Sequence, residues 1–435
     1  AIAGLENDPA FREDVQQKAP KMWKDFTAPP ADIALQHALA KKLYNATPGS
    51  NDVVYIQLGD YAKEIGPWLV DRCLGDKIPF MTEIQDPAFE ALSLNASSME
   101  AVKKTGQALV AMTQDVNKRI TARSGLPETE PLQIEPTRSN LYTQTTSPFK
   151  GGGMTGKIFY TLTVLPTRKD AETDAMDYND YVKLFFEMCD QPWDAIGQAQ
   201  QSLIEEFNAA TKVHITNNDG TDISMELVDH DDSHFTFCNS LIAKNVPGSE
   251  IFSAPRRDSV NGTIVAKGRF SDHGAEIVED LTLVFNQGRL IDYKAAKGLD
   301  SFERSINIDD GARYVGELGI GTNPHLKRHV VNGLLVEKIG GSFHIALGAP
   351  YSYTNYMGTP VKVNNGGKSL MHWDITTILN GRGGKIELDD RAIMKEGQWL
   401  DSKYDVLNRG WESIPEEQRP EYWKDYYKNK PEPGP

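Results

Sequence analysis

Six side chains in the second half of the chain are of types that bind divalent cations: Glu250, Glu317, Glu337, His344, His372 and Asp374. His372 and Asp374 stand two residues apart in "MHWDITT", and in an extended segment that spacing puts imidazole and carboxylate on one face. "VEKIGGSFHIALGAPY" adds Glu337, His344 and the phenol of Tyr351, with the imidazole entering an apolar strand where burial demands partners for its nitrogens. Glu250 in "NVPGSEIFSAP" and Glu317 in "YVGELGIGTNP" lie beside glycine and proline punctuation, and among apolar neighbours each carboxylate needs a cation, an arginine or solvent. Three Glu, one Asp and two His suit a site for two divalent ions that share a bridging carboxylate and a water. Each residue also has a plainer reading, such as a satisfied polar strand for His372 and Asp374 or a backbone-bonded core histidine for His344. Spacing alone does not bring them together.

Two other stretches suggest chemistry and lose it on closer reading. Gly151, Gly156 and Lys157 in "KGGGMTGKIFYTLTVLPT" have the spacing of a phosphate-binding loop, but Ile158 stands where a Ser or Thr would hold magnesium, and a strand rather than a helix follows. The glycines read as a turn into that strand. "HDDSH" places His230 and His234 four residues apart with carboxylates between them, yet it joins two β-like runs and reads as a polar turn.

The elements that must position the six residues belong to a β-rich region. Upstream, 31–46, 61–75 and 97–120 have helical apolar spacing and alternate with strand-like "DVVYIQL" and "KIPFMTE", which indicates a small α/β unit. From about Gly125 the composition turns to Pro, Thr, Ser and Gly, so the domain boundary is expected in this stretch. After it come a strand, helical spacing over 178–210, and short β runs with N-D-G, N-Q-G and L-D-D at hairpin tips. The expected fold is mixed α/β and α+β: an N-terminal α/β domain over 1–125, a connecting segment over 126–157, a larger β-rich α+β catalytic domain over 158–410, and a C-terminal tail over 411–435.

Forty-six basic against 61 acidic residues give a net charge of -15, which argues against nucleic acid or an anionic membrane surface as partner. Cys73, Cys189 and Cys238 are odd in number and far apart, so no disulfide framework is readable and a reducing compartment is expected. The start, "AIAGLENDPAFREDVQQ", lacks the basic and apolar blocks of a secretory signal, and no run of 18 apolar residues occurs. The expected location is cytoplasmic.

In their order and separations, "NVPGSEIFSAP", "GELGIGTNP", "EKIGGSFHIALGAPY" and "HWDITT" resemble the aminopeptidase T / aminopeptidase S family of thermophilic metallopeptidases, over roughly 160 to 400. The resemblance implies a two-domain, homodimeric metalloaminopeptidase that removes single residues from peptides with a free N-terminus. It implies two divalent ions, Zn, Co or Mg, in the C-terminal domain. Carried onto this chain, Glu250, Glu317, Glu337, His344, His372 and Asp374 would be the metal ligands, with Glu317 as the bridge. Glu317 and Tyr351 would be the catalytic residues, the phenol stabilising the oxyanion. Relatives of the same fold, the 2,5-dihydroxypyridine dioxygenases, keep a His and an H-x-D pair for one ferrous ion; the three glutamates here favour hydrolysis. A non-catalytic peptide-binding scaffold would be expected to lack a ligand, and none is missing.

Overall fold

The computed structural model describes residues 33–45, 52–128, 134–150, 158–241, 244–271 and 276–429. Contacts divide the chain into two compact units, Ala1–Cys189 with Ile242–Val246, and Asp190–Leu241 with Pro247–Pro435.

The first unit carries a parallel sheet of β1 (Val54–Leu58), β2 (Phe80–Ile84), β3 (Lys118–Ser124) and β4 (Phe159–Leu165), in the order β2-β1-β3-β4. Its helices are α1 (Ile33–Asn45), α2 (Gly66–Asp76), α3 (Pro87–Ala96), α4 (Met99–Met112), α5 (Pro136–Lys150), α6 (Arg168–Thr173) and α7 (Tyr178–Cys189). β1 is buried at every position, as a parallel strand enclosed on both faces should be. Side-chain caps fix the helix starts: Asp86 accepts from the Phe89 amide before α3, Ser98 from Ala101 before α4, and Thr167 forms a reciprocal capping box with Asp170 before α6.

Three expectations change in this unit. The helix expected over 97–120 stops at Met112, where the Thr113 hydroxyl bonds back to the Leu109 carbonyl; residues from Lys118 onward form β3 instead, with Ile120 and Ala122 buried in the sheet. The connecting segment expected over 126–157 contains α5, whose first amides, at Thr137 and Arg138, donate to the Glu135 carboxylate. The glycine-rich stretch 151–157 lies outside the described residues, and β4 begins just after it. Finally, the boundary falls after Cys189, because β4 pairs with β3 along its whole length and so draws 158–189 into the first unit. The chain returns to this unit later: the Leu162 amide donates to the Lys244 carbonyl at 2.6 Å, and the Val246 amide donates to the Leu162 carbonyl at 2.8 Å.

The second unit begins with α8 (Trp193–Ala209) and builds two antiparallel sheets. The larger, in the order β11-β10-β9-β6-β5-β17-β18-β19, contains β5 (Lys212–Thr216), β6 (Asp222–Glu226), β9 (Asn261–Ser271), β10 (Ile277–Asn286), β11 (Arg289–Lys294), β17 (Lys385–Leu388), β18 (Arg391–Lys395) and β19 (Gln398–Trp399). The smaller, in the order β16-β13-β12-β8-β7, contains β7 (Cys238–Ser240), β8 (Glu250–Ser253), β12 (Val315–Gly321), β13 (Ser342–Gly348) and β16 (His372–Ile378). A short hairpin of β14 (Asn355–Tyr356) and β15 (Thr359–Pro360) and the helices α9 (Leu299–Ile306), α10 (Gly333–Val336), α11 (Asp405–Arg409) and α12 (Glu421–Asn429) complete the unit. The hairpins expected at N-D-G, N-Q-G and L-D-D join β5 to β6, β10 to β11 and β17 to β18.

The expected tail is packed through α12. Trp423 is fully buried, its indole N–H donates to Asp190 Oδ2 at 3.0 Å, and His325 meets its ring edge-on at 5.3 Å.

His329 gives this unit an acid sensitivity. Its ring lies against Gly268, where an added Cβ would collide with it, and edge-on to Phe270 at 5.1 Å. Burial, reinforced by Arg269 and Arg328 and opposed by Asp280, lowers the imidazole to about 4. A depressed folded-state value favours the neutral ring, so the stabilisation is present above the unfolded pKa of about 6.5 and is lost as pH falls through about 4. The full difference corresponds to roughly 3 kcal/mol. Urea midpoints at pH 7 and pH 4.5 should fall further for the wild type than for His329→Phe. Equal losses would remove His329 from the acid response.

Candidate metal centre

An antiparallel ladder places directly opposed residues on the same face. In the five-stranded sheet Glu317 opposes Ala346, which opposes Asp374; Gly319 opposes His344; Gly348 opposes His372; and Gly321 opposes Glu250. Two-residue steps along the strands therefore bring Glu250, Glu317, His344, His372 and Asp374 to one face. Leu318, Ile320, Ile345 and Ile375 occupy the other face and are fully buried in the core. The positions between the polar groups are small, and Gly319 has to be: a Cβ there would run into the imidazole of His344. Glu337 comes from outside the sheet, as the residue that ends α10.

The groups form a continuous chain of contacts. His344 Nε2 lies 3.5 Å from both Glu250 Oε2 and Glu317 Oε1, and His372 Nε2 lies 3.5 Å from Glu317 Oε2 and 3.6 Å from Asp374 Oδ2. Glu317 thus stands between the two imidazoles. His372 Nδ1 lies 2.7 Å from the Ala349 carbonyl; a carbonyl only accepts, so the proton sits on Nδ1 and Nε2 is turned toward the carboxylates. Ligand atoms of Glu317, His344 and Asp374 all lie within 4.8 Å of one another. Glu250, Glu317 and His344 are buried, whereas the side chains of Glu337, His372 and Asp374 keep 19%, 30% and 19% of their exposure, which makes theirs the open side.

Sequence reasoning missed Lys338. Its fully buried ammonium lies 2.5 Å from Glu250 Oε1 and 2.6 Å from Glu337 Oε2. A usable signal was present: a lysine between Val336, Glu337 and Ile339 in an otherwise apolar run must find an anion if it is buried.

The electrostatics follow from four carboxylates facing one ammonium. Burial raises Asp374 to about 8, with Glu337 and Glu317 adding to the shift and His372 and His344 opposing it. Burial likewise raises Glu250 against the pull of Lys338, whereas at Glu337 the ammonium and the imidazoles outweigh burial and the carboxyl ends below its usual range. Burial alone would lower both histidines, yet the surrounding carboxylates lift His344 and His372 to about 9. The carboxylates outnumber the single ammonium, and the imidazoles are drawn toward their charged form by the excess. Among the described residues Glu250 Oε2, Glu317 Oε2 and Asp374 Oδ1 are buried without a hydrogen-bond donor, a costly arrangement that a cation with oxygen and nitrogen ligands relieves.

Tyr351 lies beside this face, with ring centroids 5.4 Å from His372, 5.1 Å from Phe252 and 5.1 Å from Tyr353, the last stacked. Burial and the charges of Glu317, Asp374, Glu250 and Glu337 hold its phenol well above the usual value, so it keeps its proton. By contrast "HDDSH" is the expected polar turn: the Asp229 amide donates to the Ser233 carbonyl, and His230 faces Asp258.

The sequence profile of the thermophilic metalloprotease (M29) family matches residues 49–399. The chain belongs to this family. Curated relatives include aminopeptidase AmpS of Bacillus subtilis (strain 168), 29% identical over 36% of this chain and 40% of its own length. Aminopeptidase T of Thermus thermophilus is 28% identical over 48% of this chain and 54% of its own. The chain thus spans about half the length of the curated relatives it matches. The solved structure of wild-type AmpT from Thermus thermophilus shares the fold, with a TM-score of 0.65 and 18% identity over 85% of this chain and all of that one. A 2,5-dihydroxypyridine dioxygenase from Pseudomonas putida KT2440 also superposes, with a TM-score of 0.50 and 13% identity over 86% of this chain and all of that one.

Proposed function

We propose that this M29 family member is an aminopeptidase that hydrolyses the first bond of peptides with a free N-terminus. In this reading Glu250, Glu317, Glu337, His344, His372 and Asp374 would hold two divalent ions, zinc, cobalt or magnesium. The observation that carries it is the set of buried carboxylate oxygens left, among the described residues, without donors on one face of the sheet. Ions bound there would lower the pKa of a water molecule and polarise the scissile carbonyl. His372, oriented by the Ala349 carbonyl, keeps Nε2 directed into the site. Tyr351 retains its proton and donates it in a hydrogen bond to the carbonyl oxygen as negative charge develops. Substrate would enter on the open side, where an acidic side chain would hold the α-amine.

The reading extends to a homodimer, supported by the family resemblance, and to the cytoplasm, supported by three cysteines whose odd number and wide spacing make no disulfide framework. Among the described residues no helix is long and apolar enough to cross a membrane. The net charge of -15 speaks against a nucleic-acid partner.

Metal content by elemental analysis, with cleavage of matched free-amine and N-acetylated peptides on the same sample, tests the proposal. Two equivalents of metal are expected, and acetylation should lower kcat/KM by about a hundredfold or more, since a site built around an amine leaves its groups unpaired when the amine is blocked. One iron with no peptide cleavage would favour ring-opening chemistry. No metal after reloading would favour a binding scaffold.

A further inference from the structure

We infer that Lys338 is a positioning residue of the metal centre: its ammonium holds one oxygen of Glu250 and one of Glu337, and thereby turns their remaining oxygens toward the cations. The inference rests on the dinuclear reading above.

The contacts are asymmetric in the way this role requires. Lys338 Nζ takes Glu250 Oε1 at 2.5 Å and Glu337 Oε2 at 2.6 Å. It leaves Glu250 Oε2 buried, without a hydrogen-bond donor among the described residues, and 3.5 Å from His344 Nε2. Two desolvated carboxylates held this close repel each other, and an ammonium between them removes the repulsion while occupying only half of each ligand.

The lysine is also anchored where it stands. Its side chain is fully enclosed. Its amide donates to the Leu335 carbonyl at 3.0 Å, and its carbonyl accepts from the Asn323 amide at 2.9 Å. The Asn323 side chain in turn donates to the Gly248 carbonyl at 2.9 Å, and Gln200 donates to the Glu250 carbonyl at 3.2 Å. The backbones on both sides of the ion pair are therefore tied to one another. A lysine that merely substituted for an ion and withdrew when one arrived would need a way out.

The test is titration of metal-free protein with Zn2+ or Co2+, followed by calorimetry and checked by elemental analysis, for the wild type, Lys338→Met and Lys338→Arg. Lys338→Met should bind one equivalent as the wild type does and the other at least about tenfold more weakly, as expected for loss of a group that orients a ligand, and Lys338→Arg should recover most of the difference. Unchanged affinity, or tighter binding of the second equivalent, would overturn the inference and leave the ammonium as a spectator or a competitor. If Lys338→Met does not fold, Lys338→Gln is read with the same two outcomes, because a neutral amide cannot hold two like charges together. Fewer than two equivalents in the wild type would defeat the dinuclear reading and this inference together, whereas two equivalents with no difference between variants would defeat the inference alone.

Discussion

Glu317→Gln should lower kcat/KM by about a thousandfold or more while leaving the protein folded. The substitution keeps the shape of the side chain and removes only its charge. Glu317 is the carboxylate whose two oxygens each face a different imidazole, Oε1 toward His344 and Oε2 toward His372, so one change weakens both halves of the centre. It is also 3% exposed, so water cannot substitute for the lost ligand. Metal content should fall with activity, and near-ultraviolet circular dichroism should remain that of the wild type. Full activity in the variant would remove Glu317 from the centre and would require a different arrangement of the remaining carboxylates.

Gly319→Ala should cost about a hundredfold in kcat/KM through the displacement of His344 by a single methyl group. That methyl would occupy space filled by the His344 imidazole, and the ring is enclosed, so it has to turn or shift. A displacement on the order of 1 Å in a ligand is enough for a loss of this size. Overpacking should also lower stability, by about 1–3 kcal/mol. The two effects separate in a combined measurement of thermal midpoint and kcat/KM. A variant that is destabilised but kinetically normal would mean that His344 can yield without consequence. Gly358 offers a control, since a side chain there would meet open space, although its positive φ of 90° adds backbone strain.

The candidate site was largely legible in the sequence because a strand reports its own geometry. His372 and Asp374 share a face by their spacing alone, and glycines beside Glu317 mark where side chains must make room. The convergence itself was not legible, since it depends on which strands lie side by side and in which register. Lys338 does not stand out by type, since an ammonium binds no metal, although a cation buried in an apolar run carries the same demand for a partner as an anion does. In the first unit the errors have local causes. Val116 and Ile120 continue the helical spacing of α4 past Thr113, so periodicity could not find the break, whereas pairing of Ile120 and Ala122 between β1 and β4 decides the outcome. The helix α5 is rich in Thr and Ser, which have weaker helical preference, and it is held by packing: Gly106 on α4 allows close approach of Thr145, and Phe149 is buried beside Tyr55.

The return of Lys244–Val246 to the first unit has a bearing on how the chain is made. Leu162, on the edge strand β4 of the parallel sheet, exchanges amide and carbonyl hydrogen bonds with this later strip. On the ribosome β4 emerges long before residue 244, so during that interval the sheet presents an unfinished edge of the kind that recruits strands from other chains. A nascent chain arrested in the interval, or a fragment ending at Cys189, would carry that open edge permanently. The length already synthesised, and not the sequence of the first unit alone, therefore sets when this edge of the sheet is completed.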